Sequence, residues 1–279
     1  MKINKKQLLA VLVLVILTVY LLSLDIKGLI KKSNNREDSV DKRQSVEINL
    51  VNLREIAKNS IGKKDLQFIM NIEREIKETS NKSKKSTFIK DIVKKLVSLN
   101  HPELAAFYEE QLALLENTYI NWSTTGNLFL AASEQVKDSA YITPFLAKSE
   151  QAYLKAFEID STALEAKIGL GIVYVSSSNN PMQGIRLLLD VVKKDPENLK
   201  ANKNLGLFSM RSGQFEKAVS RFKTVLKTTK DPESYFYIAE SYKNLGYKKD
   251  AIIAYSKCKE LIKDPIFIKE IDGFIKELQ

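Results

Sequence analysis

His101 and Cys258 are the only histidine and the only cysteine in the 279-residue chain. They lie far apart in sequence, so they form no zinc-type cluster and no obvious Cys–His nucleophile pair. A single cysteine also rules out an intrachain disulfide, and it leaves the redox compartment unreadable. His101 precedes Pro102 at a predicted helix start, where a turn residue is expected. Cys258 falls on an apolar helical position, where a small buried side chain is expected. The chain lacks G-x-x-x-x-G-K-[ST], G-x-G-x-x-G and H-E-x-x-H, so phosphate loops, dinucleotide folds and zincin chemistry have no motif to stand on. Carboxylates are plentiful but suggest no acid/base pair. The expectation is a non-enzyme with no catalytic residue, no cofactor and no metal.

The net charge of +10 could suggest nucleic acid, but its location says otherwise. Residues 101–279 carry 23 Lys and Arg against 23 Asp and Glu. The excess is about +2 in residues 1–25 and about +8 in residues 26–100. A basic stretch beside an apolar segment points to anionic lipid head groups. The Lys-rich segment Lys82–Lys95 reads as a solvated helix face. Nucleic-acid association through residues 26–100 is the competing reading.

The apolar segment runs from Leu8 to Leu24 behind Lys2, Lys5 and Lys6 and contains no charge. As a helix it spans roughly 25 Å, the short end for a hydrocarbon core. It ends at Ser23-Leu24-Asp25 without a small-residue cleavage site, and no cysteine follows for lipidation. A retained anchor is therefore expected over a cleaved signal. The short basic N-terminus favours an exported body. Lys27, Lys31, Lys32 and Arg36 on the other flank weaken that bias and keep a cytoplasmic body open.

Scarce Gly and Pro and a three-four spacing of apolar residues predict an all-α chain. Val46, Leu50, Leu53, Ile56 and Ala57 start the pattern, and Leu66, Ile69, Ile72 and Ile76 resume it after Gly62. Phe88, Ile92, Leu96 and Leu99, then Leu104, Phe107, Tyr108, Leu112 and Leu115, continue it. The expected division is an anchor at 1–25, a linker at 26–44, divergent hairpins at 45–116, repeats at 117–264 and a capping helix at 265–279.

Periodicity governs the second half. Leu205-Gly206, Gly213, Ala218 and Phe222 return 33 residues later as Ile238-Ala239, Gly246, Ala251 and Tyr255. Leu170-Gly171, Tyr174, Gly184 and Leu188 follow the same order upstream, and Trp122, Gly126 and Phe129 begin a similar unit. The second helix of that first unit carries Tyr153, Ala156 and Ile159, after a loop around Gln135–Tyr141 about eleven residues too long. Asp195-Pro196, Asp231-Pro232 and Asp264-Pro265 punctuate the series.

This pattern resembles the tetratricopeptide repeat family, over roughly Thr118–Asp264. Asn202 departs from it where a large aromatic is usual, and Val225 and Cys258 replace the second Ala. The resemblance implies a right-handed superhelical stack of helix-turn-helix hairpins, closed by a capping helix. It also implies that the first helix of each unit lines a peptide groove. Carried over, the groove residues are Asn127, Lys203, Asn204, Leu207, Met210, Phe236, Glu240 and Lys243. Lys203, Asn204 and Lys243 could receive a peptide carboxylate. The expected function is a membrane-tethered scaffold that binds proteins or peptides. Service as an assembly factor for exported cytochromes or envelope complexes is the more specific alternative that anchored relatives suggest.

Overall fold

A computed structural model describes residues 48–57, 59–177 and 181–279. The expected anchor at 8–24 and the linker at 26–44 lie outside the described residues. Among those described, no helix is long and apolar enough to cross a membrane. They also contain no strand.

Thirteen α-helices follow one another in the described body: α1 Leu50–Ala57, α2 Lys63–Glu78, α3 Lys82–Ser98, α4 Pro102–Glu116, α5 Tyr119–Gln135, α6 Ile142–Ile159, α7 Leu164–Ser176, α8 Pro181–Lys194, α9 Leu199–Arg211, α10 Phe215–Leu226, α11 Pro232–Asn244, α12 Lys248–Leu261 and α13 Pro265–Leu278. Local chemistry starts and stops them. Asn81, Thr118, Asn198, Asp231 and Asp264 cap N-termini by accepting from a backbone N–H two or three residues on. Pro102, Pro232 and Pro265 occupy the first turn, where a missing N–H costs nothing. Gly213 and Gly246 end α9 and α11 at φ +72° and +78°. There the backbone closes back five residues, Gln214 onto the Ser209 carbonyl and Tyr247 onto the Tyr242 carbonyl. No neighbour crowds either glycine, so the positive φ alone explains them.

Each helix from α2 onward packs on the next, so the body is a row of hairpins. The core follows suit as a series of adjoining clusters. Leu53, Ile92, Leu96, Leu112 and Phe129 form the first, and Trp122, Tyr153, Leu170 and Val173 the second. Leu188, Val191, Leu205 and Phe208 fill the third, and Phe222, Ile238, Tyr255, Cys258 and Ile271 the fourth. This is how a solenoid must bury apolar area, because no hairpin can do so alone. The short α1 packs on α4.

Small residues set the helix spacing. A Cβ on Gly126 would lie 2.8 Å from the Tyr153 ring, and one on Gly206 would lie 2.8 Å from Phe222. Ser149 donates to the Gly126 carbonyl at 2.8 Å, which makes it the counterpart of Ala218 and Ala251. The long Gln135–Tyr141 loop is largely absorbed. Helices α5 and α6 extend to 17 and 18 residues, and a short 3-10 turn at Ser139–Tyr141 joins them.

Candidate protein-binding surface

The hairpins from α5 onward form two layers. First helices α5, α7, α9 and α11 pack on their neighbours in the same series, α5 on α7, α7 on α9 and α9 on α11. Among the described residues, no comparable packing joins second helices α6, α8, α10 and α12. The first helices are thus closer together, and the array bends toward them. They form the inner layer and the second helices a splayed outer one.

Asn127 on α5 is exposed, with its side-chain oxygen accepting from the Tyr153 hydroxyl at 2.9 Å. Leu207 and Met210 on α9 are half-buried against the cluster shared with α11. Lys203 is engaged: its ammonium lies 3.3 Å from Asp231 and 2.5 Å from Glu233. Both carboxylates help to raise its pKa against the opposing effect of burial. Asn204 donates to the Lys200 carbonyl of its own helix at 2.9 Å.

Of the other expected groove residues, Phe236 and Lys243 lie against α13 and Glu240 against α12. The Phe236 ring sits 5.7 Å from Phe267 and 6.2 Å from Phe274, centroid to centroid. Lys243 reaches Glu277 at 3.6 Å and lies 5.2 Å from the Phe274 ring centre. Glu240 accepts from the Tyr255 hydroxyl. The expected carboxylate clamp of Lys203, Asn204 and Lys243 is therefore already satisfied within the chain. Helix α13 was legible as a cap, but its cover over Phe236 and Lys243 depends on packing angles that no repeat spacing encodes.

Other singled-out residues have structural surroundings. Trp122 is buried; its indole N–H donates to Asn117 at 2.8 Å, and Lys155 lies 4.1 Å from the ring centre. Cys258 is fully buried, and burial pushes its thiol up to about 11, far from a reactive thiolate. His101 precedes α4 with its ring between Glu103 at 2.7 Å and Ser60 at 3.3 Å. Glu109 on α4 is buried, and burial with help from Glu116 raises its carboxyl to about 7 despite Lys90. Among the described residues no group of three or more His, Cys, Asp or Glu could hold a metal ion.

Asn202 occupies the place usual for an aromatic and is 1% exposed. Its amide donates to the carbonyls of Pro196 and Asn198 at 2.9 Å each and accepts from Arg221 at 3.1 Å. A polar hub replaces a ring there, and every buried side-chain polar atom among the described residues has a partner.

Residues 232–265 match the family model for the tetratricopeptide repeat. No curated protein matches the sequence. A tetratricopeptide repeat protein from Parabacteroides merdae ATCC 43184 has a similar structure, with TM-score 0.56 and 15% identity over 87% of this chain and 87% of that one. MamA from Desulfovibrio magneticus RS-1 gives TM-score 0.48 and 16% identity over 63% of this chain and 94% of that one. YrrB, described as having an unusual peptide-binding site, gives 0.44 and 14% over 72% and 97%. At these identities the likeness concerns fold alone, and only the first is close enough to carry it.

Proposed function

We propose that this tetratricopeptide-repeat protein is a scaffold that holds partner proteins or peptides on its inner helix layer, close to a membrane. One observation carries the reading: the first helices pack in sequence and bend the array, which leaves a concave surface across α5, α7, α9 and α11. Asn127, Leu207 and Met210 are its best contact residues, because the remaining candidates are engaged in pairs or lie against α13. Recognition there works by shape and apolar contact with a few polar fixings.

The tether rests on sequence. The uncharged run 8–24 supplies an anchor, with the body on the exported side. Residues 48–100 carry twelve Lys and Arg against six Asp and Glu, and this excess favours contact with anionic lipid beside the anchor. Tethering raises the local concentration of partners at the membrane.

A photo-crosslinking side chain at Asn127, in the full-length chain in its own membranes, tests the groove. The expected result is one adduct band that excess unlabelled chain competes away, with none from the same group at Lys249 on outer helix α12. Equal adducts at both positions, or none at Asn127, would refute the groove. Resistance of the chain to alkaline carbonate extraction tests the anchor separately.

A further inference from the structure

On three of the four inner helices, a ring three residues after the small contact residue reaches back to the helix that precedes it. On α5, Phe129 follows Gly126 and meets Phe107 of α4 edge-on at 5.2 Å. On α7, Tyr174 follows Gly171, and burial together with the nearby Glu150 carboxylate of α6 raises the pKa of its phenol. On α11, Tyr242 follows Ala239, with Lys223 of α10 5.6 Å from its ring centre and the Tyr247 ring 6.1 Å away. On α9 the residue in this place is Ser209, whose hydroxyl merely donates to the Leu205 carbonyl at 2.8 Å.

The missing ring leaves a cleft of about 440 Å³ between outer helices α8 and α10, over the back of α9. Ile185 and Leu189 form one wall, and Leu205 and Phe208 form the floor. Leu189 is 41% exposed, the apolar side chain that a ring on α9 would have covered. Gln214 lines the rim where the next unit has Tyr247, whose ring sits 6.1 Å from Tyr242.

The far wall carries Lys217 and Arg221, which correspond to Asp250 and Ala254 one repeat later. Among the described residues, both cations bond only to neutral amides: Lys217 to Gln214 at 2.6 Å and Arg221 to Asn202 at 3.1 Å. No carboxylate lines the cleft. An apolar socket with two cations that lack a carboxylate partner is complementary to an acidic segment carrying one aromatic side chain.

We propose that the cleft between α8 and α10 is a second docking site, on the face opposite the groove, for an acidic peptide segment whose aromatic side chain fills the place Ser209 leaves open. This site does not depend on the groove reading. The ring contributes buried area, and Lys217 and Arg221 select the flanking acids.

Fluorescence anisotropy with the full-length chain tests this, using labelled, acetylated peptides of sequence Glu-Asp-Phe-Asp-Glu. Controls replace Phe with Ala, or the acids with Gln and Asn. The acidic Phe peptide should bind at least about tenfold more tightly than either control, a difference of about 1.4 kcal/mol. Ser209→Tyr should abolish the advantage of Phe over Ala. The pair Lys217→Gln and Arg221→Gln, on exposed or half-exposed side chains, should abolish the advantage of acids over amides even if the tyrosine variant folds poorly. Asn127→Arg in the groove should leave both advantages intact. Equal binding of the Phe and Ala peptides overturns the proposal, as does an effect confined to Asn127→Arg. A change in sedimentation with Ser209→Tyr would make the occupant a second copy of the chain, and would equally overturn it.

Discussion

Near the start of α9 stands Asn202, 1% exposed, and at the same place in α11 stands Tyr235, half-buried against the fourth cluster. Seven residues further on, the pair is Ser209 and Tyr242. The unit at 199–231 is thus filled by hydrogen bonds and left partly open, whereas the unit at 232–263 is filled by rings. Yet both turn at a positive-φ glycine, both place an alanine at the helix contact, and both bury an aromatic beside it. The shared positions build the hairpin; the differing ones decide what its outer seam presents. Even identical dipeptides diverge. Asp231 caps α11 directly before Pro232, while beyond Asp195-Pro196 the cap is Asn198, three residues on, and the Pro196 carbonyl is taken up by Asn202.

Four measurements would break or sharpen this contrast. Phe222→Ala and Tyr255→Ala should cost about 3–5 kcal/mol each in urea unfolding, since both side chains are fully buried in corresponding places. A loss below about 1 kcal/mol at either would show that the two units do not share a plan. Asn202→Leu should cost about 1–3 kcal/mol, because it strands the Pro196 carbonyl and frees Arg221. If leucine stabilises instead, the hub is not what fills that unit.

A pair of exchanges tests the seams. Tyr242→Ser should open the second seam at a cost of about 2 kcal/mol. Ser209→Tyr should close the first and raise stability by up to about 1 kcal/mol. Similar losses from both exchanges would mean the first seam has no room for a ring.

The smallest effect concerns acid. Burial opposes ionisation of Asp231, but the Ser234 donors and Lys203 outweigh it and hold the carboxyl below its ordinary value. A depressed carboxyl contributes stability above its unfolded value near 4, and that contribution fades as pH falls through the folded value. Asp231→Asn keeps the cap and removes the titration. Its unfolding free energy should therefore fall less steeply below about pH 4, by less than about 1 kcal/mol. The Asn198 cap on α9 has no such dependence, so Asn198→Asp should introduce one.

The repeat plan was readable because Gly213, Gly246, Ala218, Ala251, Phe222 and Tyr255 each answer a local demand: a left-handed turn, a close approach or a filled gap. The upstream unit was harder. An insertion broke the register, and Ser149 stands where the pattern calls for alanine, so its bond to the Gly126 carbonyl could not be anticipated. The cleft went unread: Ser209 stands where the neighbouring units have Tyr174 and Tyr242, but the depth of the gap depends on outer helices that no repeat spacing encodes. The pairings of Lys203 and Lys243 join helices through space, and a one-dimensional pattern does not contain them.

The Tyr153 ring lies against two inner helices at once, at Gly126 on α5 and at Gly169 on α7, where a side chain on either would strike it. One flat ring therefore acts as a shim between consecutive repeats. Changing its thickness would alter the tilt of everything C-terminal to it. The radius of the arc is thus dictated joint by joint, and a single substitution at such a joint could retune which targets fit along its length without touching any of them.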